Sequence, residues 1–465
     1  MKNILNLSVL VLIGAFIFLV ASCSNATKNP EKETSSAKDT IESVVQPIDK
    51  TIKSVIYEVN IRQYTPEGTF KAFESHIPRL KAMNVDILWL MPIFPISEKN
   101  RKGSMGSYYA VADYKAVNPE FGTEEDLRNL IQTAHDNDMA VILDWVANHT
   151  GWDNPWITEH PEWYTKDSTD SIIVPEGTDW SDVADLNYDN QEMQTAMIDA
   201  LQYWVTDFDV DGYRCDVAGM VPTDFWNDLR EELNKLKPIF MLAEAEQLDL
   251  HEKAFDMGYA WNLHHVFNQI ASGEKNADSL RLYFEKAEKE YPTAVYRMAF
   301  TSNHDENSWN GTVFERMPNS YEAFAALTYV IPGMPLIYSG QEAGLNKQLE
   351  FFEKDTIDWK EHEMAQLYTK LGKLKHENQA LWNGVHGGEM TFIKTDKTTE
   401  IFAFTRQADE NGNSITAIFN LSDKEVEFEL KDAAKEYTNA LTGETFTISS
   451  NKKISLNAWE YLILF

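Results

Sequence analysis

Apolar runs of strand length alternate with stretches of helical periodicity from residue 55 to residue 377, and this alternation restricts the chain to a parallel α/β architecture. Residues 55–61, 85–93, 140–146, 210–217, 239–245, 296–302 and 335–339 read as strands, with a shorter element near Tyr259. The near-continuous apolar run 85–93 is what a parallel strand covered on both faces requires. Residues 70–83, 123–135, 191–208, 225–236, 262–271, 321–330 and 362–377 read as helices, and Thr123 caps the second of them with Glu125 and Asp126 in its first turn. This repetition predicts a (β/α)8 barrel over 51–383.

Two stretches depart from the repeat. Residues 151–190, after the third strand, form a long insertion that carries Trp152, Trp156, Trp163 and Trp180. From 384 to 465 the pattern changes to short alternating runs (400–405, 414–420, 426–430 and 459–465), which predict a C-terminal antiparallel β-sandwich.

The N-terminus is of a different kind. Lys2 precedes an apolar run over 4–20, which ends in Ala21-Ser22-Cys23. That run is short and closes on small residues, so 1–22 reads as a signal peptide rather than a spanning helix. The small-small-Cys ending resembles a bacterial lipobox, which implies lipidation of Cys23 and a membrane partner through that lipid. Residues 23–50, polar and without apolar period, read as a flexible tether. The expected location is the cell envelope, on its periplasmic face or outer surface. The only other cysteine is Cys215, so acylation of Cys23 leaves no intrachain disulfide. A formal net charge of −32 repels nucleic acid and anionic headgroups, which excludes both as expected partners, while neutral substrates remain compatible.

Barrel enzymes carry their chemistry at the C-terminal ends of the strands. The fourth strand reads Val210-Asp211-Gly212-Tyr213-Arg214-Cys215-Asp216-Val217, and period two places Gly212, Arg214 and Asp216 on one face. An Arg beside an Asp favours the ionised carboxylate that a nucleophile needs, although such a pair can also be purely structural. The fifth strand ends Ala243-Glu244-Ala245-Glu246. A partly desolvated carboxyl there suits a general acid, and spacing alone does not choose between Glu244 and Glu246. The third strand ends Asp144-Trp145-Val146-Ala147-Asn148-His149 and the seventh Asn303-His304-Asp305, each with a strand-end His beside an Asn and an Asp.

These four segments, in this order, resemble the signature regions of the α-amylase family, glycoside hydrolase family 13. Ser107 to Tyr114, Asp185-Leu186-Asn187 and Pro335 to Glu342 resemble further stretches of that family. The resemblance implies retaining hydrolysis of α-1,4-glucosidic bonds in starch-like glucans or maltooligosaccharides. Asp216 would be the nucleophile, Glu244 rather than Glu246 the acid/base, and Asp305 the transition-state stabiliser. Tyr109, His149, Arg214 and His304 would contact substrate or hold the charged groups. No cofactor is implied for the chemistry. A structural calcium is placed in doubt, because Gly219-Met220 stands where many family members have Lys-His; Asn148 is left as a single candidate ligand. An α-glucosidase or a glucanotransferase would share the same carboxylates. A non-catalytic glycan-binding lipoprotein would be expected to lack one of them, and none is lacking.

Overall fold

The computed structural model describes residues 51–408, 413–431, 435–449 and 453–465; the leader, Cys23 and the tether lie outside the described residues. Eight parallel strands close into a barrel: β1 (Ile56–Val59), β2 (Ile87–Leu90), β3 (Ala140–Trp145), β4 (Gly212–Cys215), β5 (Phe240–Ala243), β6 (Met257–Tyr259), β7 (Tyr296–Ala299) and β8 (Met334–Tyr338), with β8 pairing back onto β1.

Period two sorts the strand side chains into two layers. Ile56, Ile87, Trp89, Ile142, Leu242 and Met298 fill the barrel interior, whereas Tyr57, Leu88, Val141, Leu143, Tyr213 and Cys215 pack outward under the helices. Gly212 is demanded by close approach. A Cβ there would stand 2.0 Å from the Phe240 carbonyl oxygen of the neighbouring strand.

Local signals account for most of the helices. Thr123 caps Glu124–Asp136 through a reciprocal pair of hydrogen bonds with Asp126. Asn190 caps Gln191–Phe208, which ends on Asp209 in a left-handed conformation. Two readings change. The single helix expected over 70–83 is two, Phe70–Glu74 and Ile77–Ala82. Pro78 has no N–H to donate, and in an unbroken helix its ring would meet the carbonyl of Glu74. A further helix, Asp278–Glu290, has no counterpart in the sequence reading. Leu280, Tyr283, Phe284 and Ala287 recur in it at helical spacing, with Leu280 and Phe284 buried, so the signal was present in the sequence.

The strands are also shorter than the apolar runs suggest, and β4 and β5 stop one residue before Asp216 and Glu244.

The C-terminal region is antiparallel. Strands β9 (Glu389–Phe392), β10 (Ile401–Gln407), β11 (Ser414–Asn420) and β12 (Tyr461–Leu464) form one sheet, and two two-stranded ribbons accompany it. One face, with Ile401, Ile418 and Leu464, packs on ribbon residues Phe428 and Ile448. The other, with Phe402, Phe404 and Phe419, joins the core of the barrel helices. Burial on both faces explains why β10 reads Ile-Phe-Ala-Phe rather than as a strict alternation.

Candidate active site

Acids occupy the last inward positions of several strands: Glu58 in β1, Asp144 in β3, Asp216 just beyond β4 and Glu244 just beyond β5. Parallel register sets Asp144 opposite Arg214. The Arg214 side chain is wholly buried, and its guanidinium organises the centre. Nη1 donates to Asp144 Oδ1 at 2.8 Å and to Asp216 Oδ1 at 3.0 Å, Nη2 lies 2.9 Å from Glu244 Oε2, and Nε donates to the Tyr259 hydroxyl at 3.2 Å. The same group lies over the ring of Trp89, 4.9 Å from its centroid.

A second chain of contacts runs from Asp144 to Asp305. The Tyr109 hydroxyl donates to Asp144 Oδ2 at 3.0 Å and lies 2.8 Å from His304 Nε2. His304 Nδ1 meets the buried carboxylate of Glu58 at 2.5 Å, and its Nε2 lies 3.4 Å from Asp305 Oδ2. The Tyr109 and His304 rings are stacked.

The fold therefore gathers Tyr109, Arg214, Asp216, Glu244, His304 and Asp305 into one linked cluster. His149 is buried close by with different partners: Asn148 Nδ2 at 3.2 Å and the ring of Trp180 at 5.4 Å. The insertion delivers that tryptophan, because Val183–Asp185 pairs antiparallel with His149–Gly151.

Glu244 and Glu246, inseparable by spacing, part company here. Glu246 ion-pairs with Arg297 and accepts from the Asn262 side-chain amide at 2.7 Å. Glu244 faces Arg214 instead, and its Oε2 accepts the Val217 N–H at 2.9 Å.

Five carboxyl groups, Glu58, Asp144, Asp216, Glu244 and Asp305, thus share two cations, Arg214 and His304. Burial pushes the Asp216 carboxyl well above the ordinary range, the Glu244 charge adds to the rise, and Arg214 opposes it without reversing it. Burial also raises Glu244, against Arg214 and with Asp305. Arg214 acts on Asp216 in the expected direction, but its guanidinium is divided among three carboxylates, and burial outweighs it. Burial pulls His304 down, but the charges of Asp305 and Glu58 and the hydrogen bond to Glu58 outweigh it and push the imidazole up to about 9. Burial alone lowers His149 to about 3, which keeps it neutral.

Glu58, Trp89 and Tyr259 belong to this centre and escaped the sequence reading. Glu58 carried a signal, an acid inside the buried run Ile56-Tyr57-Glu58-Val59. The segment carrying Gly219-Met220 forms a short turn, Ala218–Met220, lying against Gln247. It presents Met220, 43% exposed, and Leu248, 45% exposed, follows Gln247 in the chain. Asn148 turns its amide to His149, and among the described residues no three His, Cys, Asp or Glu side chains are grouped to hold a metal.

A closed (β/α)8 barrel bearing paired carboxylates on adjoining strand ends defines the class: a barrel of the glycosidase type. Comparison with known proteins narrows it. The family model described as alpha amylase, catalytic domain, matches residues 30–180 and 177–420, and that described as maltogenic amylase, C-terminal domain, matches 390–463. The chain belongs to the α-amylase catalytic-domain family.

The crystal structure of an α-amylase from Lactobacillus plantarum is 32% identical, with a TM-score of 0.79, over 89% of this chain and 99% of that one. That of a noncanonic maltogenic α-amylase from Thermotoga neapolitana is 29% identical, with a TM-score of 0.81, over 89% and 98%. A maltogenic α-amylase of Bacillus acidopullulyticus is 28% identical over 85% of this chain and 70% of its own length. An α-amylase of Haloarcula japonica is 27% identical over 70% of this chain, which spans only 49% of that relative.

Proposed function

We propose that this chain is a retaining glycoside hydrolase that cleaves α-1,4-glucosidic bonds in starch-like glucans or maltooligosaccharides. The observation that carries the reading is the sharing of one buried guanidinium by Asp216 and Glu244, at 3.0 and 2.9 Å. It holds on one cation, at adjoining strand ends, the two carboxyls that a retaining mechanism uses as nucleophile and acid. The names of the relatives, α-amylases and maltogenic α-amylases, support the substrate class.

In this mechanism Glu244 protonates the leaving oxygen from Oε1, since Oε2 is taken by Val217 and Arg214. Asp216 attacks the anomeric carbon and forms the glycosyl-enzyme, Arg214 stabilising its charge through Oδ1. Glu244, now ionised, takes a proton from the incoming water, and the sugar leaves with its configuration retained. Asp305, about one-third exposed beside His304, binds substrate hydroxyls and favours the distorted, positively charged ring. His304 and His149 bind hydroxyls of the same sugar, and the Tyr109 ring lies under it.

Asp216→Asn and Glu244→Gln are each expected to abolish hydrolysis of maltooligosaccharides while the chain stays folded. NMR of fresh product should show the α-anomer first. Near wild-type turnover in Asp216→Asn, or β-anomer at the outset, overturns the reading.

We also infer that a lipid on Cys23 anchors the chain in the cell envelope, a reading supported by the apolar run and the small-small-Cys ending. Cys23→Ser should move the protein from the membrane fraction to the soluble one; unchanged fractionation would contradict it.

A further inference from the structure

Trp309 is 55% exposed, the most exposed large apolar side chain among the described residues. It does not stand alone. Its ring lies 5.4 Å from that of Phe351 and 5.9 Å from that of Phe352. Phe351 is in turn nearly parallel to Tyr109, at 10° and 6.2 Å. A continuous band of aromatic surface therefore leads from the buried ring at the catalytic cluster out to solvent.

The backbone that presents Trp309 is unusual. Residues Glu306–Asn310 form a single π-helical turn directly after Asp305. Such turns are rare and occur disproportionately at functional sites. The turn is anchored through Glu306, Asn307 and Asn310. Glu306 pairs with His264 at 3.0 Å and accepts from Asn310 at 3.0 Å. Asn307 donates to the Lys347 carbonyl at 3.0 Å and accepts the Leu349 N–H at 2.9 Å, which ties the turn to the loop of Phe351 and Phe352. A rigid mount with an uncommitted indole at its tip suits a ligand with flat C–H faces and hydroxylated edges, as a pyranose has.

We propose that Trp309, backed by Phe351 and Phe352, is a stacking platform for a glucosyl unit on the non-reducing side of the cleaved bond. The side follows from the neighbours: the platform is joined through Phe351 to Tyr109 and follows Asp305 in the chain, whereas the acid Glu244, which protonates the leaving side, is held by the Val217 N–H beyond β4. This inference rests on the α-glucan reading above and extends it to chain length.

The test compares wild type, Trp309→Ala and Trp309→Phe on reducing-end-labelled maltoheptaose. Trp309→Ala should lower kcat/KM about tenfold, mostly through KM, since about 1.4 kcal/mol corresponds to a factor of ten and a stacked ring supplies roughly that. It should also move cleavage toward the non-reducing end, because binding modes that leave the platform empty are no longer at a disadvantage. Trp309→Phe, which keeps a ring, should recover much of both. An unchanged kcat/KM with an unchanged cleavage pattern overturns the platform, and so does a loss of rate that leaves the pattern unmoved. Inactivity of the wild type on maltoheptaose overturns the underlying substrate reading instead.

Discussion

Val217 donates its backbone N–H to the Glu244 carboxylate at 2.9 Å from a left-handed conformation, with φ at 38°. A β-branched residue rarely adopts that region, at a cost on the order of 1–3 kcal/mol, and such strain tends to persist where function holds it. The chain leaves β4 at Asp216 and turns at once, which brings the amide onto the acid. Val217→Gly should relieve the strain, raising stability by about 1 kcal/mol in chemical denaturation after the entropy cost of glycine is subtracted. The same variant should lose several-fold in kcat, since Glu244 is then held by a looser donor. A clear loss of stability would show that the left-handed turn costs the protein little.

Glu244 and Glu246 should separate cleanly by mutation. Glu244→Gln should cost about 10²–10⁴ in kcat on maltooligosaccharides and less on a nitrophenyl glycoside, whose leaving group needs little protonation. Glu246→Gln breaks the pair with Arg297 and should chiefly lower Tm, leaving bond cleavage within a few-fold. The reverse ranking in steady-state kinetics would transfer the acid role to Glu246.

Arg214→Met removes the partner of Asp144, and both side chains are fully buried. An uncompensated buried charge costs about 3–5 kcal/mol, so the variant should unfold far earlier in denaturant as well as lose activity. Adding Asp144→Asn to it should recover part of the stability and none of the activity; a double variant no more stable than the single would rule out the unpaired charge as the cause.

Stability should fall in mild alkali. The folded-state pKa of His304, about 9, exceeds its ordinary value of about 6.5, so the folded protein binds the proton more tightly than the unfolded chain. The contribution is fully present below pH 6.5 and is lost as pH rises through about 9; it amounts to roughly 3 kcal/mol. Burial raises the Glu58 and Asp144 carboxyls as well, so their contributions also fall with rising pH and do not cancel it. His304→Asn should flatten the pH dependence of Tm between 6.5 and 9. An unaltered slope in that window would assign the effect to other groups.

What could be read without the fold was whatever depends on neighbours along the chain. Caps, strand and helix periods and the change of pattern after 384 are local, and they predicted the barrel and its antiparallel companion. Locality also marks where the reading failed: Pro78 breaks a helix whose apolar period runs straight through it.

The sequence alone named strand-end acids and, through signature segments, the residues to watch. Closure of the barrel decided what those acids are to one another. Period two aims Glu244 and Glu246 alike only while the strand continues; β5 ends at Ala243, and the chain beyond it sends one acid to Arg214 and the other to Arg297. The electrostatics of the pair belong to the same level. An Arg two residues before an Asp predicts an ionised Asp, yet three carboxylates from three strands draw on that one guanidinium, and no stretch of sequence contains all three. Electrostatic sharing is a property of distances across the barrel, and only the tertiary structure sets those.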